Sequence, residues 1–291
     1  MSAGTGQLQG DGGSTVALVV AGACGLGLVG VGMLAFAVEG AHERDAAMLH
    51  GFTGLYAPTF NSAIRVTAQL ADPVPYSCLG LLCIAVALLR RRTWRAVAVA
   101  IVLVGTGVTA QALKQLLAQP RYADWLIDGK IDDASWPSGH ATAAMSLALC
   151  AVMVAPPAWR TATALLGVAC SVALAYATLS LTWHYPSDVF GGFLVAGLGA
   201  SMALVGLSRV EVAHREPRCP PRFTWLLAVG AGGVVAATAV AGAASARVAL
   251  DTADRLTVVA GALAIAGLGL ALVVATVIAA PGPGAAQARD A

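Results

Sequence analysis

Long uncharged apolar runs alternate along this chain with short polar segments. A helix rises 1.5 Å per residue and the hydrocarbon core of a bilayer is about 30 Å thick, so runs near 20 residues are read as membrane spans. Eight such runs occur: Gly12–Val38, Pro73–Leu89, Ala96–Leu113, Ala141–Ala158, Thr161–Trp183, Val189–Ser208, Phe223–Ala246 and Leu256–Ala280. Residues 39–72 form a mixed segment with Glu39, Glu43, Arg44, Asp45, Arg65 and Asp72. A second polar stretch carries Lys114, Arg121, Asp124, Asp128, Lys130, Asp132 and Asp133. The pattern predicts an all-α fold, a polytopic membrane helical bundle.

Composition agrees. Of 291 residues, 58% are hydrophobic and 11% charged, against about 25% charged in a soluble domain. That is too little charge to cover a soluble globule, and too much apolar content for disorder. Nucleic acid is not an expected partner, because the net charge is only +2 and no lysine-rich run exists. Six cysteines show no CxxC pair, so neither a disulfide framework nor a zinc site is expected. The first run is not a typical signal peptide, since no Lys or Arg precedes it and it is too long.

Charge asymmetry sets an expected orientation. With eight spans both termini share a side, and that side holds ten basic residues against seven on the other. Arg90, Arg91, Arg92 and Arg95 sit there in a very short loop. The positive-inside rule then places both termini in the cytoplasm.

Ionisable groups at span ends are functional candidates in so apolar a chain. Lys114 ends the third span, and Arg121 follows seven residues later. Pro137-Ser138-Gly139-His140 opens the fourth, and His184 and Asp188 lie between the fifth and sixth. Forty-four positions separate His140 from His184, about one helix down and one back, which returns both imidazoles to one face. Such a cluster suits phosphoryl transfer. Lys114 and Arg121 can neutralise phosphate oxygens. Ser138 is placed as an N-cap, and the Gly139 amide belongs to an anion-binding helix N-terminus. One imidazole can attack phosphorus while the other protonates the leaving oxygen. Asp188, four residues after His184, can hold that ring in one tautomer.

Lys114-Gln-Leu-Leu-Ala-Gln-Pro-Arg121, Pro137-Ser138-Gly139-His140 and His184-Tyr185-Pro186-Ser187-Asp188 together resemble the three signature motifs of the type-2 phosphatidic acid phosphatase and haloperoxidase superfamily. The resemblance covers roughly residues 50–207. It implies His184 as the nucleophile that forms a phosphohistidine, Asp188 as its orienting carboxylate and His140 as general acid. It implies Lys114, Arg121, Ser138 and the Gly139 amide as phosphate ligands, with no metal and no cofactor. The implied division is a short tail over 1–14, a six-span lipid phosphatase core over 15–207, a cytoplasmic linker over 208–222, two additional C-terminal transmembrane helices over 223–280 and a disordered tail over 281–291.

Two positions depart from the motifs. Arg121 is followed by Tyr122 rather than proline, and Ala177 and Thr178 replace the Ser-Arg pair that precedes the third-motif histidine. A phosphate-binding arginine is therefore missing at position 178: either another outer basic residue substitutes, Arg65 being the first by position, or activity is reduced, or the substrate differs. The reading is a membrane lipid phosphatase with its site on the extracytoplasmic side of the cell membrane. Its partner would be a lipid phosphate substrate of the polyprenyl diphosphate or phosphatidic acid type, and a homo-oligomer is allowed. The alternative is a catalytically weak relative that binds or transports phospholipid headgroups.

Overall fold

The protein is described by a computed structural model covering residues 12–56, 59–126, 131–210 and 223–280. Among these residues ten helices form and no strand: α1 (Gly12–Ala37), α2 (Glu39–Thr53), α3 (Asn61–Gln69), α4 (Pro73–Leu89), α5 (Thr93–Leu116), α6 (Gly139–Val154), α7 (Pro157–Ser180), α8 (Pro186–Val210), α9 (Phe223–Ser245) and α10 (Thr252–Ala279). The expected linker over 208–222 starts later than expected, since α8 runs on to Val210; its remainder, 211–222, and the expected disorder of 281–291 fall outside the described residues.

Six helices are long and apolar enough to cross a membrane: α1, α5, α7, α8, α9 and α10. A seventh crossing arises if α3 and α4, bent by 55° at the break between them, count as one span. The fourth expected span is the 16-residue α6, about 24 Å long. It stops at Val154 rather than Ala158, because Pro156 has no N–H to donate and Pro157 opens α7. Arg90 and Arg95 donate to the carbonyls of Val154 and Met153 at 2.6 and 3.3 Å. Cations placed there satisfy groups that a helix C-terminus leaves without partners.

The mixed segment 39–72 folds into α2 and α3. One side of α2 is apolar, and it buries Leu49 and Phe52 completely. That side meets α10 at close range: a Cβ at Gly261 would lie 1.9 Å from Met48 Sδ. At Gly54, just past α2, a Cβ would lie 2.0 Å from the Ala244 carbonyl oxygen of α9, a backbone atom that cannot turn aside, so α2 is held against the C-terminal pair. The pair is itself built into the bundle. Val258, Ala262 and Ile265 of α10 are fully buried, and Tyr176 of α7 donates to the Ala262 carbonyl at 3.0 Å. Through α2, the C-terminal helices support the end of the bundle where the polar motifs gather.

Candidate active site

The loop before α6 and the first turn of α8 meet backbone to backbone. Ser138 N–H donates to the Asp188 carbonyl at 2.8 Å. Ser138 is the N-cap of α6, and its Oγ accepts from Ala141 N–H at 3.2 Å. Gly192 makes the contact possible, since a Cβ there would lie 2.7 Å from the Ser138 carbonyl oxygen and 2.9 Å from Thr142 N. Sequence pattern places Ser138 at the cap; packing buries it fully. The half-exposed positions of this helix start are Gly139 and His140, and their amides belong to the free N-terminal turn.

Both histidines lie at this end. Their ring centroids are 6.2 Å apart. His184 Nδ1 lies 3.3 Å from Asp188 Oδ2, which also accepts from Tyr185 N–H at 3.0 Å. Asp188 Oδ1 pairs with Arg121. Both carboxylate oxygens are thus engaged and Asp188 is fully buried. Held this way, His184 keeps its proton on Nδ1 and presents the Nε2 lone pair. His140 is more exposed. Its Nε2 lies 3.3 Å from Asp72 Oδ1, and its ring tilts over Trp183 at 5.4 Å. Asp72, at the break between α3 and α4, is a site neighbour that the sequence reading passed over.

Arg121 is placed differently from the phosphate ligand that the motif implies. It is buried, at 6% exposure. Its guanidinium donates to Ser187 Oγ at 3.0 Å and Ser135 Oγ at 2.6 Å, and pairs with Asp188. It also packs over the Tyr185 ring at 4.4 Å and the Phe36 ring at 5.4 Å. Asp45 completes this network from α2. Its carboxylate accepts from Ser187 N–H at 2.9 Å and from Ser187 Oγ–H at 2.6 Å, and lies 3.7 Å from Arg121. Burial pushes the Asp45 carboxyl up to about 6, with the Asp188 charge adding to the shift and the Ser187 hydrogen bonds and Arg121 opposing it. Asp45 had no periodic or motif signal; it reaches the site only through the docking of α2.

Lys114, half-buried at the end of α5, lies beside the start of α6: a Cβ at Gly139 would be 4.0 Å from Lys114 Cε. Thr178 is fully buried, and its hydroxyl donates to the Ala175 carbonyl at 2.9 Å. Arg65 is engaged locally. Its guanidinium donates to Asn61 Oδ1 at 3.0 Å and Tyr56 OH at 3.1 Å, within its own exposed segment. Lys114 therefore stands beside the histidines, while Arg121 is committed to two carboxylates. Among the described residues no three His, Cys, Asp or Glu side chains gather as a metal site requires.

The fold and this site define a class: a polytopic helical membrane protein with a paired-histidine centre at one end of its bundle. Residues 95–210, which carry all three motifs, match the model of the PAP2 superfamily. No curated protein matches the chain. Among solved structures, the chain is similar to a transmembrane PAP2-type phosphatidylglycerolphosphate phosphatase from Bacillus subtilis, at 17% identity and a TM-score of 0.51. The match covers 66% of this chain and 96% of that one. At that identity the likeness speaks for the fold.

Proposed function

We propose that the protein is an integral membrane lipid phosphatase that hydrolyses a lipid phosphate monoester or diphosphate through a phosphohistidine. The observation that carries this is the His140–His184 pair with a carboxylate behind each ring, Asp188 at 3.3 Å and Asp72 at 3.3 Å. A binding module has no need for a nucleophile and an acid so arranged.

In the proposed reaction His184 Nε2 forms a bond to phosphorus while the bond from phosphorus to the lipid oxygen breaks. His140 gives that oxygen its proton. Asp188 stabilises the cationic character that builds on His184. A water then attacks phosphorus, His140 takes the water's proton, and the nitrogen–phosphorus bond breaks to release phosphate and restore the enzyme. Lys114 and the free amides at the start of α6 hold the phosphoryl oxygens. No step calls on a metal. The positive-inside reading would put this end of the bundle on the extracytoplasmic face of the cell membrane, where a headgroup reaches the site while its tail stays in hydrocarbon.

The test is phosphate release by purified protein from phosphatidic acid, polyprenyl diphosphate and phosphatidylglycerolphosphate, with chelator present. The reading expects release from at least one lipid and none from His184→Ala. Wild type that binds these lipids and releases no phosphate would favour a binding or transport relative. Arg121's commitment to Asp188 and Asp45 is the observation on that side.

A further inference from the structure

The chain holds a groove that the motifs do not explain. It lies between α3, α7 and α9 and has a volume of about 750 Å³. Its floor follows α7 from Leu165 to Ser180, about 22 Å of helix at 1.5 Å per residue. The facing wall is α9 from Val229 to Ala244, with Arg247 just past its end. Both are membrane-crossing helices, so the groove runs along a bundle of spans and opens toward lipid. That volume, spread over that length, is enough for an extended hydrocarbon chain. The almost wholly aliphatic lining suits such a chain.

One end of the groove is marked chemically. Most of the lining is aliphatic, but Ser180 and Arg247 stand at the end nearer the histidines. Ser180 is four residues before His184. Across the groove α3 leads into the bend before α4 and so to Asp72, the partner of His140. Arg247 donates to the Gly54 carbonyl at 3.4 Å, a long contact that leaves most of its donors for another acceptor. An apolar slot with a cation at the active-site end matches a lipid with a long tail and an anionic head.

We propose that this groove binds one hydrocarbon chain of the lipid phosphate, with Arg247 drawing the anionic headgroup toward the paired histidines. α9 lies outside residues 95–210, so the groove would be a specificity element supplied by the C-terminal helices. The turnover arm of the test rests on the phosphatase reading, and the binding arm does not.

Ala173→Trp and Gly233→Trp fill the groove from opposite walls. Ala173 is exposed, and a Cβ at Gly233 meets nothing within 4 Å, so neither substitution disturbs the core. Hydrolysis of dioleoyl phosphatidic acid is compared with that of dihexanoyl phosphatidic acid in detergent. Both variants are expected to lose about tenfold or more in kcat/KM on the long-chain lipid and to stay within about twofold on the short one, the scale on which apolar pockets discriminate chain length. Retention of dioleoyl phosphatidic acid is measured separately in the His184→Ala background, where it should fall on adding either tryptophan or Arg247→Gln. Unchanged retention overturns the groove assignment even if hydrolysis is real. Retention that falls while wild type hydrolyses nothing keeps the groove and sinks the phosphatase reading. A dimer in light scattering that the tryptophans dissociate would assign the groove to a second copy of the chain and overturn the proposal.

Discussion

Ser187 and Asp45 are joined twice across 142 positions of sequence: the Ser187 amide donates to Asp45 Oδ1 at 2.9 Å and its hydroxyl to Oδ2 at 2.6 Å. Asp45 thereby caps the first turn of α8 from a different helix. A carboxylate at a helix N-terminus is favoured by both the free amides and the helix dipole. The capped turn carries Asp188, and so a residue of α2 fixes the carboxylate that orients His184. Asp45→Ala leaves a buried amide and hydroxyl without their acceptor, which costs about 1–3 kcal/mol for each unsatisfied group. We expect a lower denaturation midpoint and a fall in kcat with KM little changed. A variant as stable and as fast as wild type would show that α8 holds its first turn without help.

The same residue gives a pH dependence of known sign. Its carboxyl is raised from 3.8 to about 6, so between those values the folded chain holds a proton that the unfolded chain has released. The stabilising contribution of that proton is complete below about 3.8 and is lost as pH rises through about 6. Asp45→Asn has no such titration. The melting temperature of wild type minus that of Asp45→Asn is therefore expected to fall from pH 4 to pH 7. A difference that is flat, or that rises with pH, contradicts the placement of a strained carboxylate at Asp45.

Arg121 is expected to behave as a structural cation first. Removing it leaves Asp188 and Asp45 buried without a counter-charge, and breaking such a pair by deleting one partner costs about 3–5 kcal/mol. Arg121→Ala should melt far below wild type, and Arg121→Lys should recover only part of the loss. Lysine is a single point charge and cannot reproduce the fork that reaches Ser187, Ser135 and Asp188 together. Thermal unfolding of the three proteins in one detergent decides it. Equal stability of all three would return Arg121 to the simple role of phosphate ligand.

What was legible in the sequence was whatever has a period or a spacing. The apolar runs located the apolar helices, although six of the eight expected spans are long and apolar enough to cross alone and a seventh needs α3 joined to α4. The 44-residue interval between His140 and His184 placed two imidazoles on one face. Ser138 at the head of an apolar run was readable as a cap, and it caps α6. The unreadable parts are long-range and polar. Asp45 and Asp72 lie in a segment of mixed polarity, where no long apolar run marks α2 or α3. Neither carboxylate announces which helix it will face. Arg121 fits its motif by position, and only the docking of α2 and α8 around it shows that carboxylates already occupy it. The end of the fourth span shifted for a local reason, the Pro156-Pro157 pair.

Gly192 should be intolerant of even a methyl group. A Cβ there would meet the Ser138 carbonyl oxygen at 2.7 Å and Thr142 N at 2.9 Å, both backbone atoms of the cap and first turn of α6. Backbone cannot rotate aside as a side-chain tip can, so α8 must move away from the Pro137–His140 loop. Overpacking of this kind costs about 1–3 kcal/mol. Because the Ser138–Asp188 contact lies at that point, activity should fall further than stability alone explains. Gly206 of the same helix meets nothing within 4 Å, and Gly206→Ala is the control, expected to match wild type in both readouts. Loss in both variants alike would mean that α8 is sensitive to alanine along its whole length.

His140 and His184 should separate by leaving group. If His184 attacks phosphorus, His184→Ala removes turnover on every substrate. If His140 protonates the departing oxygen, its loss matters in proportion to how badly that oxygen needs a proton. General acid catalysis contributes typically about 10²–10⁴-fold. His140→Ala should therefore lose about that much on a lipid phosphate, whose alkoxide leaves poorly, and much less in the first step on p-nitrophenyl phosphate, whose phenolate leaves unaided. Rapid-quench measurement of that first step, with acid-labile phosphate on the protein as the readout, follows the bond-breaking directly. His140→Ala should still accumulate phosphoenzyme from the nitrophenyl ester, and it should do so to a higher level than wild type, because the same imidazole activates the water that clears it. A variant that loses both substrates equally would show that His140 holds the phosphate in place and transfers no proton. Phosphoenzyme persisting in His184→Ala would move the nucleophile elsewhere.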